Sequence, residues 1–408
     1  MNILMVCNGA YPDEIGGAHT YVYELAKHLA ALGHQLTILT RRASAELPTK
    51  EMIDGIRYVR YDYNDSPDPV RWRYKLYFGA RSMFDSLVGA ERFDVIHGHW
   101  PHSTAGVFEH PVSKASLRVY TLHAPFFEEE QIEAAVLRRD RPFTARQILK
   151  RMWVPVSLFE KRRREYKVLR KCSLVFVLSK FMRGRARDCF AVPPGKLEVI
   201  PGGVDTRRFF PAESRESVRA RLGIPAETKL LLTVRRLVPR MGLKNIVKAM
   251  AIVKRHQPRA LLCIGGTGIL YEDLKSLIRE LSLSDAVRLL GFIPVEGLAD
   301  HYRAADYFIV PTEFLEGFGL STIEAMACGT PVLGTAIGGT GEILGSIDRG
   351  LLFSGTEPRD MAEGILRHLN SESRAGLGEK VARYAHKVYA WEIVARWIEE
   401  TLLARLAQ

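Results

Sequence analysis

The 408-residue chain contains no apolar run approaching the roughly 18 to 20 residues that cross a bilayer, which excludes an integral membrane helix as the basis of its function. Its first residues, Met1-Asn-Ile-Leu-Met-Val-Cys7, lack a positive leader and a cleavage site and read as a first strand, so export is not expected. Cysteine is scarce: five residues (Cys7, Cys172, Cys189, Cys263, Cys328), an odd number, widely spaced and without a Cys-x-x-Cys pair. That argues against a disulfide framework or a zinc site and fits a reducing cytoplasm. No Gly-x-Gly-x-x-Gly opens a helix after the first strand, which counts against a dinucleotide oxidoreductase. Short internal repeats and low-complexity tracts are absent as well. Acidic residues are outnumbered, 46 against 58 Lys and Arg, so the net charge of +12 should draw anions such as nucleotide diphosphates, anionic lipids or nucleic acid. No nucleic-acid recognition motif accompanies the charge, and a nucleic-acid partner is not expected.

What is present is a soluble, globular composition, 47% hydrophobic and 25% charged, at a length that suggests two domains of roughly 200 residues. Short apolar runs at 3–7, 36–39, 56–59, 95–96, 119–122, 174–178 and 197–200 are separated by polar or helical stretches. After Pro201-Gly202-Gly203 a second series follows at 230–234, 261–264, 287–290, 307–310, 332–333 and 351–353. Such alternation predicts α/β architecture, an open parallel sheet covered by helices in each half, with domains at 1–203 and 204–390. Ligands of such sheets bind at the carboxyl ends of the strands, so two facing sheets would enclose an interdomain cleft. A last helix, 391–406, is amphipathic through Val394, Trp397, Ile398 and Leu402. Between Arg138 and Lys171 basic residues alternate with Phe143, Trp153, Val156, Phe159 and Tyr166. Three readings stay open there: peripheral contact with an anionic membrane surface, a core-facing helix with a solvated basic side, or a site for a phosphate-rich acceptor.

The most informative stretch is 311–331, Pro-Thr-Glu-Phe-Leu-Glu-Gly-Phe-Gly-Leu-Ser-Thr-Ile-Glu-Ala-Met-Ala-Cys-Gly-Thr-Pro. A buried strand at 307–310 leads through a glycine-bearing turn into a helix over 320–327. Gly317 and Gly319 allow close backbone approach, and the amides of a first helical turn favour an anion such as diphosphate. Carboxylates accept paired hydrogen bonds from vicinal hydroxyls, so Glu324 suits a ribose and Glu316 a second sugar. Together these features describe a nucleotide sugar.

The stretch resembles the nucleotide-sugar signature of family-4 retaining glycosyltransferases of the GT-B fold, through Glu-Gly-Phe-Gly-Leu, the second Glu and Ala-Met-Ala-Cys-Gly-Thr-Pro. Other matches run from the first strand to about Thr335, with 126–165 least matched. Arg235-Arg236-Leu-Val-Pro-Arg240-Met241-Gly242 is similar to the family's Gly-Arg-Leu…Lys-Gly motif, whose Arg and Lys clamp the diphosphate. Arg236 matches the Arg, Arg235 replaces the Gly, Met241 stands where the Lys would be, and Arg240 is the nearest substitute cation. Gly16-Gly17 and Gly265-Gly266-Thr267-Gly268 resemble the family's glycine loops, His123 its sugar-reaching histidine, and Gly291-Phe292 its base-reading segment. His97-Gly-His99-Trp-Pro-His102 resembles a run that carries no metal in the family.

The resemblance implies two facing Rossmann-like domains, acceptor on the first, to which the 391–408 helix packs back, and donor on the second. It implies hexosyl transfer with retention from a nucleoside diphosphate sugar to an acceptor hydroxyl of a saccharide, lipid-linked glycan or small molecule. Neither metal nor cofactor is implied, and a UDP-sugar is favoured over GDP- or ADP-sugar. Catalytic roles fall to Glu316, His123 and Arg236. Donor binding falls to Gly17, Arg236, Arg240, Gly266, Phe292, Gly317, Phe318, Gly319, Leu320 and Glu324. The location implied is cytoplasmic, with the basic segment at most peripheral on the inner membrane surface. A sugar-nucleotide epimerase or hydrolase of the same fold is the alternative.

Overall fold

In a computed structural model that describes residues 1–62, 69–137, 145–371 and 374–408, the short apolar runs pair into two sheets. The first has eight strands: β1 (Asn2–Val6), β2 (Gln35–Arg41), β3 (Lys50–Ile53), β4 (Ile56–Tyr61), β5 (Val95–Gly98), β6 (Leu117–Leu122), β7 (Leu174–Val177) and β8 (Leu197–Val199). Their order is β3-β4-β2-β1-β5-β6-β7-β8, and every pairing but β3–β4 is parallel. Ile3, Leu4, Met5 and Val6 of central β1 have no exposed surface, because helices cover both faces of a parallel sheet and leave no solvated side to alternate with. The antiparallel edge strand β3 was not expected. Asp54-Gly55, with φ of 50° and 79°, turns β3 into β4, as Asp-Gly does in tight hairpins.

The Gly17–Ala31 helix buries Val22, Leu25, Ala26 and Leu29. The Trp391–Leu406 helix packs beside it in the same unit: Trp391 lies against Tyr21 with ring centres 5.3 Å apart, and His34 Nε2 meets Glu399 Oε1 at 2.7 Å. Val394, Ile398 and Leu402 face inward, whereas Trp397, placed on the apolar stripe by its spacing, is 39% exposed. One compact unit comprises Met1–Glu130, Pro142–Gly203 and Trp391–Gln408, and the other is built on Val204–Ala390.

The second unit holds β9 (Lys229–Val234), β10 (Ala260–Gly265), β11 (Val287–Gly291), β12 (Tyr307–Val310) and β13 (Val332–Gly334), all parallel, in the order β11-β10-β9-β12-β13. The run at 351–353, expected as a strand, makes only an isolated bridge from Leu352 to Gly334. Asp348 accepts from the Gly350 amide, and the resulting turn over Arg349–Leu351 leaves too little extended chain to pair. At the amino end of β12 the Asp306 carboxylate accepts from Arg215 at 2.6 Å, Arg219 at 2.7 Å and the Leu230 amide at 2.7 Å. These bonds tie β12 to β9 and hold Asp306 below the usual carboxylate range against the effect of burial.

Candidate functional site

Because β9 to β12 run parallel, the segments that leave their carboxyl ends share one edge of the second sheet. Arg235 and Arg236 leave β9, Gly266 leaves β10, Phe292 leaves β11, and 311–319 leaves β12 for the Leu320–Ala327 helix. Gly319 caps that helix at φ 97°, where a Cβ would lie 2.4 Å from Thr340 Oγ1. Glycine is required on both counts. The first helical turn leaves amides without intrahelical acceptors, at the positive end of the helix dipole.

The loop ahead of it is held from three sides. Gly339 donates its amide to the Glu316 carbonyl at 3.0 Å, and a Cβ on Gly338 would lie 2.0 Å from that same oxygen. Arg240 accepts the amides of Glu313 and Phe314 at its own carbonyl, and its guanidinium Nη1 donates to the Leu315 carbonyl at 2.8 Å. Leu315 sits at φ 31°, a left-handed conformation that a branched side chain adopts only when its surroundings impose it. Arg240 is therefore a buried brace of the loop, with its guanidinium beneath Leu315. Met241 is buried too, and Arg236 is exposed.

Glu316 is met by a residue that spacing alone assigned no role. Arg235 Nη2 donates to Glu316 Oε2 at 2.6 Å and Nη1 donates to Thr312 Oγ1 at 2.8 Å, while Thr312 Oγ1 approaches the same Oε2 at 3.2 Å. Burial draws the Arg235 pKa below the ordinary guanidinium value, and Glu316 pulls it back. Eight residues on, Glu324 Oε2 accepts from the Tyr302 hydroxyl at 2.9 Å. Burial raises the Glu324 pKa above the usual carboxylate range, and the Tyr302 bond opposes that rise. Phe318 is buried edge-on to Tyr389 at 5.8 Å, whereas Phe292 is 54% exposed beside Gly291. Gly266, at φ 124°, would place a Cβ 2.0 Å from the Arg235 carbonyl.

In the first unit Gly17 opens the helix after β1 and His123 follows β6, again on one edge. His123, itself half-buried, adjoins two buried histidines: His99 Nδ1 lies 3.3 Å from His123 Nε2, the His97 and His99 rings are 4.2 Å apart, and His97 Nε2 meets Thr121 Oγ1 at 2.7 Å. Burial, aided by neighbouring imidazoles, pushes His97 and His123 each down to about 3, so the rings stay neutral near pH 7. Tyr21 packs edge-on to His123 at 5.0 Å.

Thr312, Tyr302, Gly338 and Gly339 were not singled out from sequence. Gly338-Gly339 gives the same loop signal as Gly16-Gly17, but nothing in the spacing links Tyr302 to Glu324. Of the basic segment, 138–144 and the side chains of 145–154 lie outside the described residues. Beyond them the Ala145–Lys171 helix buries Lys161, Glu165, Val168 and Leu169 on one side and exposes Val156, Phe159, Arg162, Arg163, Lys167 and Arg170 on the other. No helix among the described residues is long and apolar enough to cross a membrane.

Residues 15–208 match the model of Glycosyltransferase Family 4, and 214–388 match Glycosyl transferases group 1. The D-inositol 3-phosphate glycosyltransferase of Kineococcus radiotolerans is 31% identical over 94% of this chain and 89% of that relative. The mannosylfructose-phosphate synthase of Agrobacterium fabrum is 26% identical over 94% and 85%. Among solved structures, the sucrose-phosphate synthase of Thermosynechococcus elongatus superposes with a TM-score of 0.82 at 24% identity, covering 100% of this chain and 99% of that one. Anabaena HepE, solved in complex with UDP-glucose, gives 0.73 at 19% identity over 99% and 100%.

Proposed function

The chain belongs to glycosyltransferase family 4, with the GT-B fold, and from that premise we propose that it transfers a hexosyl group from a nucleoside diphosphate sugar to an acceptor hydroxyl with retention and without metal. The observation that carries the proposal is the pair Glu316 and Glu324 on either side of the Gly319 cap, each with one oxygen already bonded, at the sheet edge that also presents Arg236. Glu324 takes the ribose hydroxyls and Glu316 those of the transferred ring. The helix amides and Arg236 face the diphosphate. Negative charge grows on that diphosphate as the glycosidic bond breaks, and donors already oriented toward it lower the barrier. The leaving phosphate takes the acceptor proton, so no separate base is assigned.

Phe292 flanks the base, and Gly266 gives the backbone room beside the phosphates. Gly17 and neutral His123, carried on the first unit, serve the acceptor side and the sugar. HepE is described with UDP and UDP-glucose, and a uridine nucleotide is favoured here on that likeness. Two relatives are named for phosphorylated polyols or sugars, which favours a phosphate-bearing acceptor. The reaction is placed in the cytoplasm, where five buried free thiols would persist. For the basic and apolar side chains exposed between residues 155 and 171, peripheral contact with anionic lipid is the reading to check, by co-sedimentation with anionic against zwitterionic vesicles.

The test of the donor reading is a melting-temperature panel with uridine, guanosine and adenosine diphosphate sugars, repeated on Glu324→Ala and Glu316→Ala. Glu324→Ala should lose the nucleotide-induced shift, whereas Glu316→Ala should retain the shift given by the free nucleoside diphosphate and lose turnover. Equal behaviour of both variants and the parent chain contradicts the assignment. Free sugar or an epimer accumulating without acceptor would point to hydrolase or epimerase chemistry instead.

A further inference from the structure

Position 235 is where this chain departs from the motif it otherwise follows, with arginine in place of glycine, six residues before methionine stands in place of lysine. The arginine is not a solvated loop side chain. It is only 6% exposed, and Thr312, which it bonds, is fully buried. Arg235, Thr312 and Glu316 close a ring of hydrogen bonds in which both Nη2 and the Thr312 hydroxyl fall on Oε2 of the carboxylate. Arg235 and Thr312 are themselves anchored. The Arg235 amide donates to the Gly265 carbonyl at 3.0 Å, and the Thr312 carbonyl accepts from the Thr335 hydroxyl at 2.7 Å.

We propose that Arg235 is a positioning residue for the donor sugar: with Thr312 it holds one oxygen of Glu316 and thereby aims the other at the vicinal hydroxyls of the transferred ring. Two physical effects follow. A glutamate side chain on a loop samples several rotamers, and fixing it before the donor arrives removes an ordering cost from binding. A carboxylate beside an incoming diphosphate also meets like charge, and a guanidinium bonded to it offsets that repulsion. The positive charge absent at Met241 is present instead at 235, in contact with Glu316. The inference rests on the donor reading above and adds a residue that the family motif does not supply.

Titration calorimetry on the full chain, with UDP and UDP-glucose or the corresponding guanosine or adenosine pair that the parent chain binds, tests it. Arg235→Met should leave affinity for the free diphosphate within about threefold and weaken the nucleotide sugar by about tenfold, the loss expected for one charge-assisted hydrogen bond. Arg235→Lys should recover most of it. Arg235→Met combined with Glu316→Gln should be no weaker than Glu316→Gln alone. If Arg235→Met weakens the free diphosphate as much as the nucleotide sugar, Arg235 is a direct phosphate contact and the proposal is wrong. Full additivity in the double variant overturns it as well. Should Arg235→Met not fold, Thr312→Val opens the same ring, and an unchanged ratio of the two affinities would count against the proposal. Failure of the parent chain to bind any of the three nucleotide sugars would instead remove the donor reading, and this inference with it.

Discussion

Tyr302→Phe is the smallest change that probes the ribose side of the site. Tyr302 has no exposed surface, and its ring packs against Phe308 at 5.2 Å and Phe209 at 5.9 Å. The substitution keeps those contacts and removes only the hydroxyl that donates to Glu324 at 2.9 Å. A hydrogen bond to a charged group contributes about 1.5 to 3 kcal/mol, which is roughly ten- to a hundredfold in affinity if the bond serves only to hold Glu324 ionised and oriented. The sign with pH follows from the same bond. Burial already raises the Glu324 pKa and the Tyr302 hydroxyl lowers it, so the variant carries a carboxyl that protonates at higher pH than in the parent chain. Calorimetric affinity for a nucleoside diphosphate should therefore fall at pH 8 and fall further at pH 6, while the parent chain changes less across that interval. In a Glu324→Gln background the effect of Tyr302→Phe should vanish. Equal affinities for Tyr302→Phe and the parent chain at both pH values, or an undiminished loss in the Gln background, would refute the reasoning.

Three further outcomes concern the supports of the two units. Glu165, fully shielded between the Tyr120 hydroxyl and the Phe126 amide, is pushed up to about 8 by burial, with Glu128 and Glu129 adding to the rise. A carboxyl raised in the folded state gives stability that is complete below its unfolded pKa and is lost as pH rises through about 8. Chemical denaturation should show stability declining by up to about 1.4 kcal/mol per pH unit from pH 5 to 8, a slope that Glu165→Gln removes. Gly319→Ala forces a Cβ onto Thr340 Oγ1 at a positive φ and should cost about 1 to 3 kcal/mol in denaturant titrations, with nucleotide affinity falling in parallel. Asp306→Asn leaves three largely buried arginines, Arg215, Arg219 and Arg374, short of a counter-charge and should destabilise by about 3 to 5 kcal/mol. Because the folded pKa of Asp306 is depressed, the parent chain's advantage over that variant should shrink as pH falls through it.

The strands were legible because burial on both faces demands continuous apolar runs, and such runs as 307–310 and 230–234 stand out between amphipathic helices. The edge strand Lys50–Ile53 escaped notice because three of its four residues are exposed, so no hydrophobic pattern marks it and only the Asp54-Gly55 turn gives it away. The places of Glu316 on the loop and Glu324 on the helix were legible from the glycines around them, since a tight turn followed by a helix start fixes where such residues lie. The cations were not. Arg235, Arg236 and Arg240 are equivalent as letters, and sequence proximity favoured Arg240 for the place left by Met241. What separates them is the company each side chain keeps. Arg240 turns under the loop, where the left-handed Leu315 offers a carbonyl; Arg236 turns to solvent; Arg235 turns toward β12, the strand paired with its own, where Thr312 and Glu316 wait. The partner of Arg235 lies 81 residues away. Strand order brings the two together, so a charge can change its position in the motif while remaining in the same site.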